Sequence, residues 1–512
     1  MDLVKDYINI KKNISKNSSH FNITNDIIVP DFKPDIKKVL ECYHDILIKD
    51  ISFDNTKVTI VGAINYTLIY YSANFELNSI DHTAKFSHEI SLSNIPENSV
   101  FDATINIENS EYELLNEKRI ILKHIAVVSL KHNQQLKIDV ISDIQDDDNM
   151  EILKENVCLP NYLGQNNEKL FFKENIEIEQ NYPPLDQILK HNFNIKKTTY
   201  KIVDNKILVS GVFECTILYL PYDSRKNLSS ITFEKNLSQV VNMPDISPDA
   251  KIDCNIKISD INFNILENSD GEHRIINCEA IFDVGVSAIV PKNITLVSDA
   301  YGFSDLVELD KETIYFDNIK DTLSENFYFK NTLNLNSPSA DIKIYDVNTK
   351  ILFSDYKLID DQIVIDGILN ISTLFQDDTD EENFKILDQE YPFKHILDCK
   401  IPPNMQSVSF KLTMQNIDYN INIENNLEFK ININISAIIF FNDSSSITTN
   451  ISKTPLDNKN VDNKPSIIVY FVRENDSLWS IAKKYLTTVN HIKITNGLTN
   501  DSLTPNQQLL IL

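Results

Sequence analysis

Glycine is nearly missing from this chain, with 8 in 512 residues. No G-x-x-x-x-G-K-[ST], G-x-G-x-x-G or G-x-S-x-G occurs, so the usual phosphate cradles and the strained nucleophile turn are excluded. Positive charge is also short. Forty-eight Lys and Arg stand against 74 Asp and Glu, a net charge of −26, which argues against a nucleic-acid-binding face and against a polybasic membrane anchor. No apolar run approaches the length of a membrane span, and the opening MDLVKDYINIKKNISKN has no apolar signal core. Export by the general route and membrane insertion are therefore not expected. The six cysteines (Cys42, Cys158, Cys215, Cys254, Cys278, Cys399) include no C-x-x-C pair and read as reduced core residues. The ten histidines form no zinc-binding spacing. The acidic runs Asp146-Asp147-Asp148 and Asp377 to Glu382 lack the EF-hand pattern and read as solvated loops. No catalytic residue, cofactor or metal is expected, and an enzyme is not.

What is present is β-forming sequence. A hydrophobic fraction of 42% in a chain of this length implies several globular domains. From Phe21 to about Phe440, short β-branched and aromatic runs alternate with Asn, Asp, Ser and Pro, which gives a mainly β reading.

Three of the scarce glycines align. Val58 to Tyr70 around Gly62, Ile207 to Tyr219 around Gly211 and Ile363 to Phe375 around Gly367 share β-branched residues before the glycine and an aromatic eight after it. A mid-strand glycine marks a bend, bulge or close crossing. Asp35, Asp186 and Asp341 precede these glycines at similar distances, and Phe86, Phe233 and Phe393 follow them. Arg119-Ile-Ile and Arg274-Ile-Ile open a late strand in two copies, with Leu427 in that place in the third. Val140-Ile-Ser-Asp143 echoes Val297-Ser-Asp299. The expected organisation is an N-terminal arm (1–20), β repeats at 21–150, 151–305 and 306–441, a flexible linker (442–466) and a C-terminal unit (467–512).

That last unit is of another kind. An apolar strand is followed by Asn475-Asp476-Ser477 and by Leu478, Ile481, Ala482 and Tyr485 on one helix face. Thr487 and Thr488 can cap a second helix that Gly497 ends, and Gln508 to Leu512 form a second strand. The only tryptophan, Trp479, is on the first helix, at the edge of its apolar stripe. This tail carries four basic and three acidic residues, so it is +1 on a body of −27.

Tyr470, Val472, Asp476-Ser477-Leu478-Trp479-Ser480-Ile481-Ala482, Asn496 and Pro505-Asn506-Gln507 resemble the LysM domain, a small α+β (βααβ) fold, with Asn475, Leu486 and Asn506 where that family has glycine. Asn is the best non-glycine residue for left-handed backbone, so Leu486 is the larger departure. The resemblance implies a groove for N-acetylglucosamine polymers at Asn475, Asp476, Ser477 and Leu478 and at Gly497, Leu498, Thr499, Asn500 and Asp501. Trp479, Ile481, Lys483 and Lys484 complete the candidate partner-binding set. The repeats, from Val29-Pro30 through the Arg-Ile strand to Asp299-Ala-Tyr301, resemble SPOCS domains and imply tandem β-sandwich-like units.

Together these features resemble the SipL-like family of spore coat and encasement morphogenesis proteins. The resemblance implies a scaffold in the mother-cell cytoplasm recruited to the forespore surface. Its LysM domain would bind the coat morphogenetic ATPase (SpoIVA-like), and its β repeats would offer edges for other coat proteins or self-association. The alternatives are a glycan-binding protein of the spore or cell wall and a phage baseplate hub.

Overall fold

The fold comes from a computed structural model, which describes residues 2–145, 149–222, 227–336, 342–359, 362–377, 383–398, 405–455 and 467–512. Three six-stranded units follow one another. The first is β1 (Asp2–Ile28), β2 (Lys38–Phe53), β3 (Lys57–Tyr71), β4 (Leu77–Ser91), β5 (Ser99–Asn116) and β6 (Arg119–Gln145). The second is β7 (Met150–Glu177), β8 (Leu185–Val203), β9 (Lys206–Pro221), β10 (Ser229–Asn242), β11 (Lys251–Glu267) and β12 (His273–Gly302). The third is β13 (Asp305–Asn334), β14 (Lys343–Ile359), β15 (Gln362–Gln376), β16 (Phe384–Ile396), β17 (Met405–Ile421) and β18 (Asn426–Pro455). A small unit closes the chain with β19 (Ile468–Phe471), α1 (Leu478–Tyr485), α2 (Val489–Asn496) and β20 (Gln508–Ile511).

Each large unit is a sandwich of two antiparallel three-stranded sheets, ordered β2-β3-β4 with β1-β6-β5 in the first and repeated in the others. The sheets share one core, in which Val58, Ile60 and Ile64 of β3 meet Ile120, Leu122 and Ala126 of β6. The sequence dictates this through period two, since Ile207, Val209, Gly211, Phe213 and Cys215 of β9 are buried while the residues between them are half-buried. Arg119, Arg274 and Leu427 lie where their late strands begin. Cys215 and Cys278 are core residues, but Cys158 is exposed, and Cys399, Asp341 and the runs 146–148 and 378–382 lie outside the described residues. Asp377 is described, and it is buried in an ion pair with Lys385 at 2.7 Å instead of being solvated.

The repeat glycines are explained by close approach. Positive φ is found at Gly164, Gly271 and Gly497 and not at Gly62, Gly211 or Gly367, so left-handed backbone is not what these three supply, and the ladder shifts register on the facing strand near each, between Ile48 and Asp50, Lys196 and Thr199, and Ile351 and Phe353. Gly62 faces Phe86 across the β3–β4 ladder, and a Cβ there would overlap both the Phe86 ring and the Leu47 carbonyl oxygen. Gly367 is paired with Phe393 across the β15–β16 ladder, whereas in the second unit Gly211 faces Leu237 and Phe233 faces Cys215. At Gly211 a Cβ would meet only the end of Ile256, at 2.9 Å.

Both segments read from sequence as loose are strand. Residues 2–20 pair with β6 from Asp2↔Gln145 to His20↔Val127, and residues 442–455 pair with β13 as the end of β18. Only 456–466 of the expected linker lie outside the described residues. The first and last strands of every unit therefore run together beyond their sandwich as a two-stranded ribbon. The three ribbons share an apolar core of Ile8, Ile10 and Val140, Leu159, Ile294 and Leu296, and Ile314, Phe316 and Ile447.

A second shared core lies where the central strands end. Ile69, Leu218 and Leu374, each seven residues past its repeat glycine, pack together with Tyr71, Leu220 and Tyr345. Beside them Glu41, Lys190 and Asp346, each 21 residues before its glycine, form a buried charged trio. Lys190 Nζ is 2.9 Å from Glu41 and 3.1 Å from Asp346, with its side chain 3% exposed. Burial alone would lower the Lys190 pKa, but the two carboxylates outweigh it and hold the ammonium above its ordinary value. Between the two shared cores is a cavity of about 1120 Å³ lined by all three units.

Two outcomes follow for stability. Gly62→Ala should destabilise the first unit by about 1–3 kcal/mol through overpacking, read by denaturant unfolding. Lys190→Met strands two buried carboxylates and should lose about 3–5 kcal/mol. A melting temperature unchanged by Lys190→Met would show that the trio does not hold the units together.

Candidate functional site

The C-terminal unit is built from short signals. β19 and β20 pair antiparallel from Ile468↔Ile511 to Phe471↔Gln508. Ser477 caps α1 in a reciprocal box: its hydroxyl accepts from Ser480 N at 3.0 Å, and the Ser480 hydroxyl accepts from Ser477 N at 3.0 Å. Thr488 caps α2 by accepting from His491 N at 2.9 Å, and Gly497 ends that helix with φ 61°. Asn496 fastens α2 to β20, its side chain donating to Leu510 O at 2.7 Å and accepting from Leu510 N at 2.7 Å.

The three replaced glycines all lie in left-handed backbone, with φ of 68° at Asn475, 54° at Leu486 and 65° at Asn506. The fold has therefore kept the turns while changing the residues. Leu486 is the C-cap of α1 and also packs against the small core.

The candidate loops are exposed and internally braced. Asn475, Ser477, Gly497, Thr499, Asn500 and Asp501 face solvent, and Asp476 and Leu498 are half-buried. Asp476 accepts from Arg473 N at 2.8 Å and from the Tyr470 hydroxyl at 2.7 Å, and these donors hold its carboxyl below its ordinary pKa. Lys493 pairs with Asp501 at 2.6 Å. Neither loop contains an aromatic ring.

Other members of the candidate set are used elsewhere. Leu478 and Ile481 are core, 2% and 1% exposed, and cannot face a partner. Lys484 lies 5.2 Å from the Tyr470 ring centre and 5.4 Å from that of Tyr485, which places it over the unit's own surface. Trp479 and Lys483 turn toward the second β unit. The indole Nε1 donates to Asp299 Oδ2 at 2.8 Å, and Lys483 Nζ lies 2.6 Å from Asp299 Oδ1. Tyr301 sets its ring edge-on to the indole at 5.0 Å and donates its hydroxyl to Thr487 O at 2.6 Å. Tyr301 belongs to the core of the C-terminal unit, with Phe303 packed against it.

Asp299 owes its aim to a register shift between Val297 and Asp299 in the β7–β12 ladder, where Ser298 donates to Leu153 O at 3.2 Å. Burial would raise the Asp299 pKa, but hydrogen bonds from Lys483 and Trp479, the Lys483 charge and the Ala300 N–H lower it overall. Sequence reasoning marked Asp299 and Tyr301 as repeat landmarks and missed their role, because the partner lies 180 residues away.

Among the described residues no three His, Cys, Asp or Glu side chains gather into a metal site, and no helix is long and apolar enough to cross a membrane. His124 is buried between the rings of His44 and Tyr66, and His132 is buried against Phe101.

A family model described as SipL, SPOCS domain, matches residues 35–115, 184–266 and 342–422, and a LysM domain model matches 470–512. This is the SipL-like architecture of tandem SPOCS domains closed by a C-terminal LysM domain. Comparison with curated proteins found no match. Each SPOCS match takes in the second to fifth strands of a unit, so the long first and last strands fall largely outside it. Neither domain family is catalytic.

The left-handed turns give the LysM domain a direct test. Asn475→Ala should destabilise it by about 1 kcal/mol and Asn475→Gly should not, since only alanine adds steric strain without a local hydrogen bond. Unfolding followed by Trp479 fluorescence reads both, and equal transitions would remove the strain argument.

Proposed function

We propose that the chain is a non-enzymatic scaffold or adaptor of spore coat assembly. Its LysM domain binds a SpoIVA-like coat morphogenetic ATPase at the forespore surface, to which it is recruited from the mother-cell cytoplasm. The observation that carries this reading is the joining of three SPOCS domains to a LysM domain in one chain. Its loops support a protein ligand over a glycan, since they are polar and short of aromatic surface on which a sugar could stack, and the one tryptophan is turned to the second SPOCS domain. The outer strands of the three-stranded sheets supply edges to which other coat proteins, or a second copy, can add a strand.

Thr499 is the residue for the test, being exposed in the second loop. Thr499→Arg in the full chain should weaken retention of the purified coat ATPase about tenfold or more, equivalent to about 1.4 kcal/mol, with an unchanged unfolding transition. Insoluble peptidoglycan should bring down neither protein. Tight pelleting of the wild-type chain with peptidoglycan, and no retention of the ATPase, would overturn the reading.

A further inference from the structure

The contact between the LysM domain and the second SPOCS domain has the chemistry of a recognition site. One carboxylate takes two donors at once, the indole N–H at 2.8 Å and an ammonium at 2.6 Å, with an aromatic edge on the indole and a phenol hydroxyl capping the chain just past α1. A charge-assisted pair of donors converging on one carboxylate is selective for an anion, and the ring beside it fixes direction. The first SPOCS domain shows what the position does without a LysM domain. There Asp143 has the same backbone bond, accepting from Ile144 N at 2.8 Å as Asp299 does from Ala300 N at 2.9 Å, yet its partner is Lys154 of β7 at 2.6 Å. The side-chain donors to Asp299, Trp479 and Lys483, both come from α1.

We propose that Trp479 and Lys483 form a carboxylate-reading site on α1, whose ligand is an acidic side chain followed two residues later by an aromatic one. In this structure the chain's own Asp299 and Tyr301 fill it. The site deepens the reading of the LysM domain as a protein-binding module. A partner engages it by presenting the same acidic and aromatic pair and displacing Asp299, which exposes the domain's α1 face as well as its loops. Because the internal ligand is covalently joined to the site, it competes at an effective concentration on the order of millimolar. Partners that bind at micromolar levels displace it, and weaker acidic segments do not.

Trp479 is the only tryptophan, so its fluorescence reports on this site alone. The probe is the peptide Val-Ser-Asp-Ala-Tyr-Gly-Phe, the sequence of residues 297–303, with an Asn-for-Asp version as control. In the full chain, Asp299→Asn and, separately, Lys483→Gln should shift Trp479 emission to the red and raise its acrylamide quenching at least twofold. Asp143→Asn should do neither. Adding the acidic peptide to the Asp299→Asn chain should restore wild-type emission and quenching, and the Asn peptide should not. Lys483→Gln, at a half-exposed position, guards against a folding artefact, and its emission should not respond to either peptide. Wild-type fluorescence in both variants would overturn the proposal, as would equal effects of the two peptides. Loss of coat ATPase binding in the Thr499→Arg experiment is read separately. Failure there, with the peptide result intact, removes the named partner and leaves the site standing.

Discussion

The ladder between the first and last strand of each SPOCS unit is the constraint on which the rest depends. It runs from Ile275↔Glu177 to Gly302↔Met150 in the second unit and over comparable lengths in the others. Within the sandwich it supplies one of the two sheets. Beyond it, the same strands continue as a ribbon too narrow to bury a core of its own, and two-stranded ribbons are marginal alone. The ribbons meet instead, and Ile8, Ile294 and Ile314, one from each unit, are buried in one shared cluster. The ladder also ends at the place where the LysM domain docks, so the position of the binding module is set by strand register in the second unit.

Order among the units is carried by charge as well as by apolar packing. Three copies of one domain offer near-identical faces, and apolar positions such as Ile69, Leu218 and Leu374 do not by themselves distinguish one copy from another. At one equivalent position the copies differ as Glu41, Lys190 and Asp346, so a cation pairs with two anions only when the second unit is among the three. Buried ionic groups are weak sources of net stability and are better at penalising alternatives. A second first-unit face in place of the third would keep a Glu–Lys–Glu set, but any arrangement without the second unit would bury like charges together.

Sequence patterning made the sandwiches legible because their strands bury alternate residues, and the LysM domain legible because its caps and turns are local. It misread residues 2–20 and 442–455 because a ribbon buries so little. In β1 only Ile8 and Ile10 of the early residues are buried, and in the end of β18 only Ile447, Thr448 and Ile451, so the composition looks like that of a linker. It placed Gly62 and Gly367 as mid-strand landmarks with Phe86 and Phe393 at fixed distance, and left bend, bulge and close crossing open as the cause. At Gly62 the ring of Phe86 fills the space a side chain would need, and that pairing is invisible until the register is known. The candidate loops were found by position in the motif, while Trp479 and Lys483 were assigned to an outside partner because nothing near them in sequence shows Asp299.

The same strand end in each SPOCS unit explains why the LysM domain docks where it does. Asp143, across from Val4, is already held by Lys154 of the next unit's first strand. At the third unit Lys453, across from Val307, has the charge of Lys483 and would repel it. Asp299 alone combines the right sign with no partner from a following SPOCS strand, because its partners come from α1. The LysM domain thus stands at the second unit in the place that Lys154 takes at the first, and an interaction that joins one repeat to the next has been reused to seat a module of a different fold.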